Sequence, residues 1–282
     1  MNLRKTFSTE RDGIRCEAYD FDAQPAIRLR LYLLQQAKLE QPERIVLSVL
    51  GSASRASADR AAGAPPNDRM EFAFLDWENW LAAAQIGFGW ELREELGLTP
   101  LAARLEQNGA RRFAEWQQML QTNQSVMACF APRGLGLTVW GVNEAKRAHI
   151  RRRFTLLGQT LDGMRVWDVR RAIQSLSTIQ PQRAAPLVLQ GKGDMAGVAL
   201  YASLFESRVT DLHLYGLPKS HTDGPELLNV MRVLDMPQAV AMAAERCRLI
   251  LYESPSDAWE FPLAVASRLD WRQTEIQIMP AD

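Results

Sequence analysis

The chain has 282 residues, with 33 basic and 33 acidic side chains, so its formal net charge is zero. No electrostatic surplus points to a nucleic-acid partner, and 47% hydrophobic with 23% charged residues is a folded, globular composition rather than a disordered one. No run of about 18 apolar residues occurs and the first residues lack an apolar signal core, so neither a membrane span nor export is expected. As it stands the sequence reads as cytoplasmic; a longer precursor would place it in the periplasm or outside the cell.

Arg15 to Phe21 and Ile27 to Leu34 are two β-rich runs around a polar Gln24-Pro25 turn, which predicts an antiparallel hairpin. Ile45 to Leu50 and Val126 to Phe130 are nearly continuous apolar runs, as in strands buried on both faces. Between them, Ser52 to Asn67 reads as a long loop, and Glu71 to about Leu120 as helical. Ile150 to Leu176 has apolar residues near helical spacing and predicts one long or bent helix. Pro186 to Gln190, Asp211 to Leu217, Arg248 to Tyr252 and Glu275 to Met279 read as strands, with helices at Met195 to Phe205, Pro225 to Ala244 and Phe261 to Leu269. An initial hairpin followed by alternating strands and helices predicts a single α/β domain over residues 1–282, with about eight mostly parallel strands and helices on both faces.

Cys16, Cys129 and Cys247 are far apart in apolar runs and form no disulfide or zinc pattern; no metal or cofactor is expected. The histidines are only His149, His213 and His221. His149 lies among Lys146, Arg147, Arg151, Arg152 and Arg153, read as a solvated helix start rather than an anion site, and His213 lies in an apolar strand as a core residue. His221 follows a strand, in Pro-Lys-Ser-His-Thr-Asp-Gly, where Ser220, His221 and Asp223 carry the functional groups of a triad. Asp162, Arg165 and Asp168 are charges in an otherwise apolar helix, which suggests an ion-pair network. Trp77, Trp80 and Trp90 read as amphipathic packing, with a carbohydrate-stacking surface as the alternative.

The most informative segment runs from Leu187 to Ala202: a buried strand, the tight turn Gly191-Lys192-Gly193-Asp194, and a helix of small residues. Two chemistries use such a turn. A dinucleotide site would match Gly191, Gly193 and Ala196 to G-x-G-x-x-A, with Asp211 at the right offset for the ribose but at the wrong end of its strand. A nucleophile elbow would hold a serine above the sheet.

The turn resembles the Gly-His-Ser-Arg-Leu-Gly elbow of bacterial acetyl xylan esterase and glucuronoyl esterase-type carbohydrate esterases, within the α/β-hydrolase superfamily. Cys129-Phe-Ala-Pro-Arg-Gly-Leu-Gly136 is similar to the Asp-x-Arg-Gly-x-Gly loop of that group, and Leu157 to Asp168 to its helix before the elbow. The resemblance spans roughly Arg15 to Met279 and implies an α/β-hydrolase fold. It also implies a nucleophile at the position of Gly193, which has no side chain to acylate. The acid of the triad would come from the loop holding Asp257. The base would follow the last strand, where the sequence runs only to Pro280-Ala281-Asp282. Gly51, Ser52 and Asp194 would supply oxyanion-type backbone N–H groups.

The leading expectation is therefore an esterase-like domain with a degenerate triad, serving binding or structure, alone or as one half of a longer two-module protein. A working esterase with a non-standard nucleophile, with His221 as base or a base from a partner chain, is the alternative. Nucleotide binding at Gly191-Gly193 is a third reading. Expected partners are a small ester or carbohydrate ligand, a sister esterase domain or a second copy, with no nucleic acid and no membrane.

Overall fold

A computed structural model describes residues 2–52, 76–96, 103–140, 144–179, 184–253, 257–271 and 275–280. The strands are β1 (Arg4–Arg11), β2 (Ile14–Gln24), β3 (Ile27–Gln36), β4 (Arg44–Val49), β5 (Ser125–Phe130), β6 (Leu187–Lys192), β7 (Val209–Tyr215), β8 (Arg248–Tyr252) and β9 (Ile276–Met279). They form one sheet in the order β1-β2-β3-β5-β4-β6-β7-β8-β9. β1, β2 and β3 are antiparallel to their neighbours, and from β5 to β9 every pairing is parallel.

The helices are α1 (Trp77–Leu96), α2 (Ala103–Thr122), α3 (Glu144–Leu156), α4 (Leu161–Leu176), α5 (Asp194–Ser203), α6 (Met236–Ala244) and α7 (Glu260–Arg268). The period-2 alternation of the strands divides the core. Ile45, Leu47 and Val49 of β4 join Leu187 and Leu189 of β6 under α4, α5 and α6, whereas Val46, Leu50 and Val188 pack with Trp77, Trp80, Phe113 and Trp116 of α1 and α2. Trp77 and Trp80 are thus core residues, stacked on each other at 5.4 Å, and offer no sugar platform. The side chain of Trp90 lies outside the described residues, as does most of the segment read as a loop from Ser52 to Asn67.

The structure differs from the sequence expectation in three places. The described residues form nine strands rather than eight, because Arg4–Arg11 pairs with β2 at the sheet edge. That segment shows no apolar alternation; Lys5–Glu17 (2.5 Å) and Arg4–Asp20 (3.8 Å) ion pairs and the partly buried Phe7 accompany the register. The helix expected over Ile150 to Leu176 is two helices. Gly158 has φ 71°, and Thr160 caps α4 by accepting from the Gly163 N–H at 3.0 Å. The helix expected from Pro225 begins only at Met236, behind an Asp235/Gln238 capping box.

Candidate functional site

The turn between β6 and α5 is built from backbone proximity. Gly191 is required by a close approach: a Cβ there would stand 2.7 Å from the carbonyl carbon of Met195 and 3.0 Å from the Ala196 nitrogen. Gly197 faces Pro225 in the same way, with 2.7 Å to its ring. Met195 to Ser203 are all buried, so α5 fits between sheet and covering loop only because its residues are small.

Gly193 differs from both. Its φ of 57° and ψ of −126° lie where L-residues rarely go, yet no atom stands within 4 Å of a Cβ placed on it. Its N–H donates to Tyr215 O (2.9 Å) and its carbonyl accepts from Ala196 N (2.9 Å). The geometry is that of a sharp strand-to-helix turn presenting its apex to open space, with the apex side chain missing.

Neighbouring strand ends complete the edge. Val49 pairs with Gly191, so Gly51 and Ser52 run on beside the turn. Gly51 O accepts from Trp77 N (2.9 Å), which ties this loop to the start of α1. Lys192 is exposed, and Asp194 opens α5. The Asp194 carboxyl is pushed up by partial burial and by the carboxylates of Asp162 and Glu226, against a downward pull from Arg165. Asp162 itself accepts from Arg165 (2.9 Å) and from the Glu226 N–H (2.9 Å). Three carboxylates and one guanidinium therefore set the charge beside the apex.

Behind them, Asp168 accepts from the Arg133 side chain at Nη2 (2.6 Å) and Nε (2.9 Å) and from its backbone N–H (3.0 Å). Asp162–Arg165 and Asp168–Arg133 are thus two ion pairs, linked where Arg165 Nε donates to the Arg133 carbonyl (3.2 Å), so the charges read from the sequence as one network need Arg133 to connect them.

The histidines stand elsewhere. His149 is exposed on α3, and His213 is buried beside Tyr252, with ring centroids 5.8 Å apart. His221 has both ring nitrogens engaged: Nδ1 is 2.9 Å from Pro225 O and Nε2 is 2.7 Å from the Tyr201 hydroxyl. A carbonyl can only accept, so Nδ1 carries the proton and Nε2 accepts from Tyr201. Tyr201 lies seven residues beyond Asp194, about 10 Å along α5, so His221 is pinned at the far side of that helix and away from the apex.

Ser220 donates to Asp235 (2.7 Å), as does the His221 N–H (2.7 Å). Asp223 is exposed and joins neither. Ser220, His221 and Asp223 are therefore turn residues gathered by Asp235. Burial pushes the Asp235 carboxyl up, but the bonds from Ser220, His221 and Met236 outweigh it and hold it below the usual range.

Asp257, the expected acid, is exposed at the start of a short 3-10 turn. The buried carboxylate at this edge is Glu253, directly after β8, whose N–H donates to Met279 O (2.9 Å). Burial raises its pKa to about 7, against the downward pull of Lys219 and of the neighbouring Trp259 indole. The sequence signal was its place immediately after the strand. Folded protein thus holds a proton on Glu253 between about pH 4.5 and about 7 that the unfolded chain has released, so stability falls as pH rises through this window. Glu253→Gln is expected to abolish that decline and to be more stable than the parent at pH 8, by roughly 2 kcal/mol. Urea titrations at pH 5 and pH 8 check this.

Asp211 pairs with Val188 near the start of its strand and binds Arg248 (2.5 Å), at the opposite end of the sheet from the glycine turn. The ribose contact required by a dinucleotide site is not assembled. Among the described residues, no group of three or more metal-ligating side chains converges, and no helix is long and apolar enough to cross a membrane.

The strand order, the initial antiparallel strands and the turn between β6 and α5 define an α/β-hydrolase fold. Solved structures agree. A Bacteroides fragilis protein assigned as an acetyl xylan esterase superposes with a TM-score of 0.62 at 13% identity, over 99% of this chain and 69% of that one. The glucuronoyl esterase from Solibacter usitatus gives 0.58 at 15% identity, over 100% and 82%. The acetyl xylan esterase from Paenibacillus sp. R4 gives 0.52 at 11%, over 100% and 81%. No family model matches the chain, and no curated protein does.

Proposed function

We propose that this is an esterase-fold domain without serine-triad turnover, which binds a small carbohydrate-type ligand or serves a structural role in a larger esterase assembly. The observation that carries this reading is Gly193 at the apex of an otherwise intact elbow: the turn, its strain and the open space above it are kept, and the nucleophile is not. Two features support it. Asp194, Asp162 and Glu226 place negative charge beside the position where an oxyanion would develop, which opposes rather than stabilises it. His221 is committed to Tyr201 and Pro225, so it is not free to act as a base at the apex.

Purified protein is expected to hydrolyse p-nitrophenyl acetate no faster than a denatured control. Turnover that is lost on changing His221 or Asp257 would sink the reading in favour of a working esterase. Gly193→Ser has room for its side chain and costs about 1–3 kcal/mol in backbone strain. It is expected to fold and yet not to be labelled by a fluorophosphonate, because no base meets it. Stoichiometric labelling of that variant would show the remaining machinery to be intact.

A further inference from the structure

A cavity of about 300 Å³ opens between the β2–β3 turn at Ala26 and the segment after β5 that carries Arg133, Leu137, Val139 and Trp140. β3 runs antiparallel to β5, with Leu31 opposite Phe130, so this turn stands on the same sheet edge as Gly193, three strand positions away from β6. Nothing in the elbow uses it.

The wall contains a buried cation with donors to spare. Arg133 is 3% exposed. Its five N–H groups include Nε and one on Nη2 given to Asp168, and one on Nη1 given to Gln24 (2.7 Å). One N–H on each of Nη1 and Nη2 has no partner among the described residues. Asp168 balances the charge of Arg133, and Arg28, which also lines the cavity, is ion-paired with Asp22 at 3.4 Å, so these donors suit a hydroxyl more than a free carboxylate.

Beside them lies Trp140. Gly134 admits its ring, since a Cβ there would be 3.2 Å from the indole, and Phe154 stacks on it at 6.1 Å. The ring is thus fixed in place. Leu137 and Val139, each about half exposed, give the mouth an apolar rim. The volume is at the small end for ligand sites and suits one six-membered ring.

We propose that this cavity is a monosaccharide site, in which the C–H face of a pyranose lies on the Trp140 indole and two of its hydroxyl oxygens accept from Arg133. The negative face of an indole attracts polarised C–H groups, and hydroxyls replace the water that otherwise serves the guanidinium. The inference rests on the reading that the domain binds a carbohydrate rather than cleaving it.

The test uses the whole ¹⁵N-labelled chain. Its eight tryptophans give separate indole N–H resonances, and the one lost in Trp140→Phe identifies Trp140. Titration with methyl β-xylopyranoside, with methyl glucuronoside and, as a flat-ring control, with benzoate is read at that resonance. The proposal expects a saturable shift at Trp140 with at least one sugar, at millimolar affinity, while the core indoles stay still, and at least tenfold weaker binding in Trp140→Ala. A shift with the xyloside alone assigns a neutral ring, and a shift with both assigns the ring whatever its carboxylate. No shift with either sugar, or a shift with benzoate only, overturns it. The wild-type titration stands even if the alanine variant fails to fold. Ester hydrolysis is a separate readout: a Trp140 shift with turnover defeats the non-catalytic reading alone, and absence of both defeats this inference alone.

Discussion

Asp168→Ala is expected to destabilise the fold by about 3–5 kcal/mol, a large part of the total stability of a domain of this kind. Asp168 is fully buried, and its carboxylate holds Arg133 at three nitrogens. Burial pushes the carboxyl up and the guanidinium pulls it down, so the two residues stand or fall together. Removing the acid leaves a desolvated cation with Gln24 as its remaining side-chain partner. The loss also travels: Arg133 O accepts from Arg165, Arg165 holds Asp162, and Asp162 holds the Glu226 N–H beside Asp194. Asp168→Leu combined with Arg133→Met removes both charges at once and should recover much of the loss, since a buried pair replaced by apolar residues is often neutral. Urea denaturation of the single and double variants decides it. A single-variant loss below about 1 kcal/mol would mean the pair is solvated.

The elbow was legible in the sequence because its causes are local: an apolar run, two glycines and a helix of small residues admit few other geometries. The central strands were legible for the same reason, being apolar on both faces. β1 was not, because an edge strand registered mainly by ion pairs carries no alternation to read. The split between α3 and α4 was marked by Gly158 and Thr160, but the apolar spacing continued across it and outweighed them. Site chemistry was the least legible. Asp257 and Glu253 are four residues apart with opposite burial, which no local pattern announces, and whether His221 reaches the apex depends on Tyr201, which is twenty residues away. Asp235 could have been found: an Asp followed three residues later by Gln, before an apolar run, is a capping signature.

The two turn glycines meet different demands of the fold. Gly191→Ala is expected to cost about 3 kcal/mol or more and to lower the soluble yield, because the new methyl meets main-chain atoms of Met195 and Ala196 rather than the end of a flexible side chain. Relief would require α5 to move away from β6, and every residue of α5 after Asp194 is buried, with Gly197 held against Pro225 of the covering loop. Gly193→Ala, two residues on, meets nothing within 4 Å and should cost only the backbone term, about 1–3 kcal/mol. Chemical denaturation of the pair reads the difference directly. Equal losses would mean that the apex is packed after all, whereas a large gap places the structural demand on Gly191 and leaves the apex as a position the fold holds open for a side chain it does not carry.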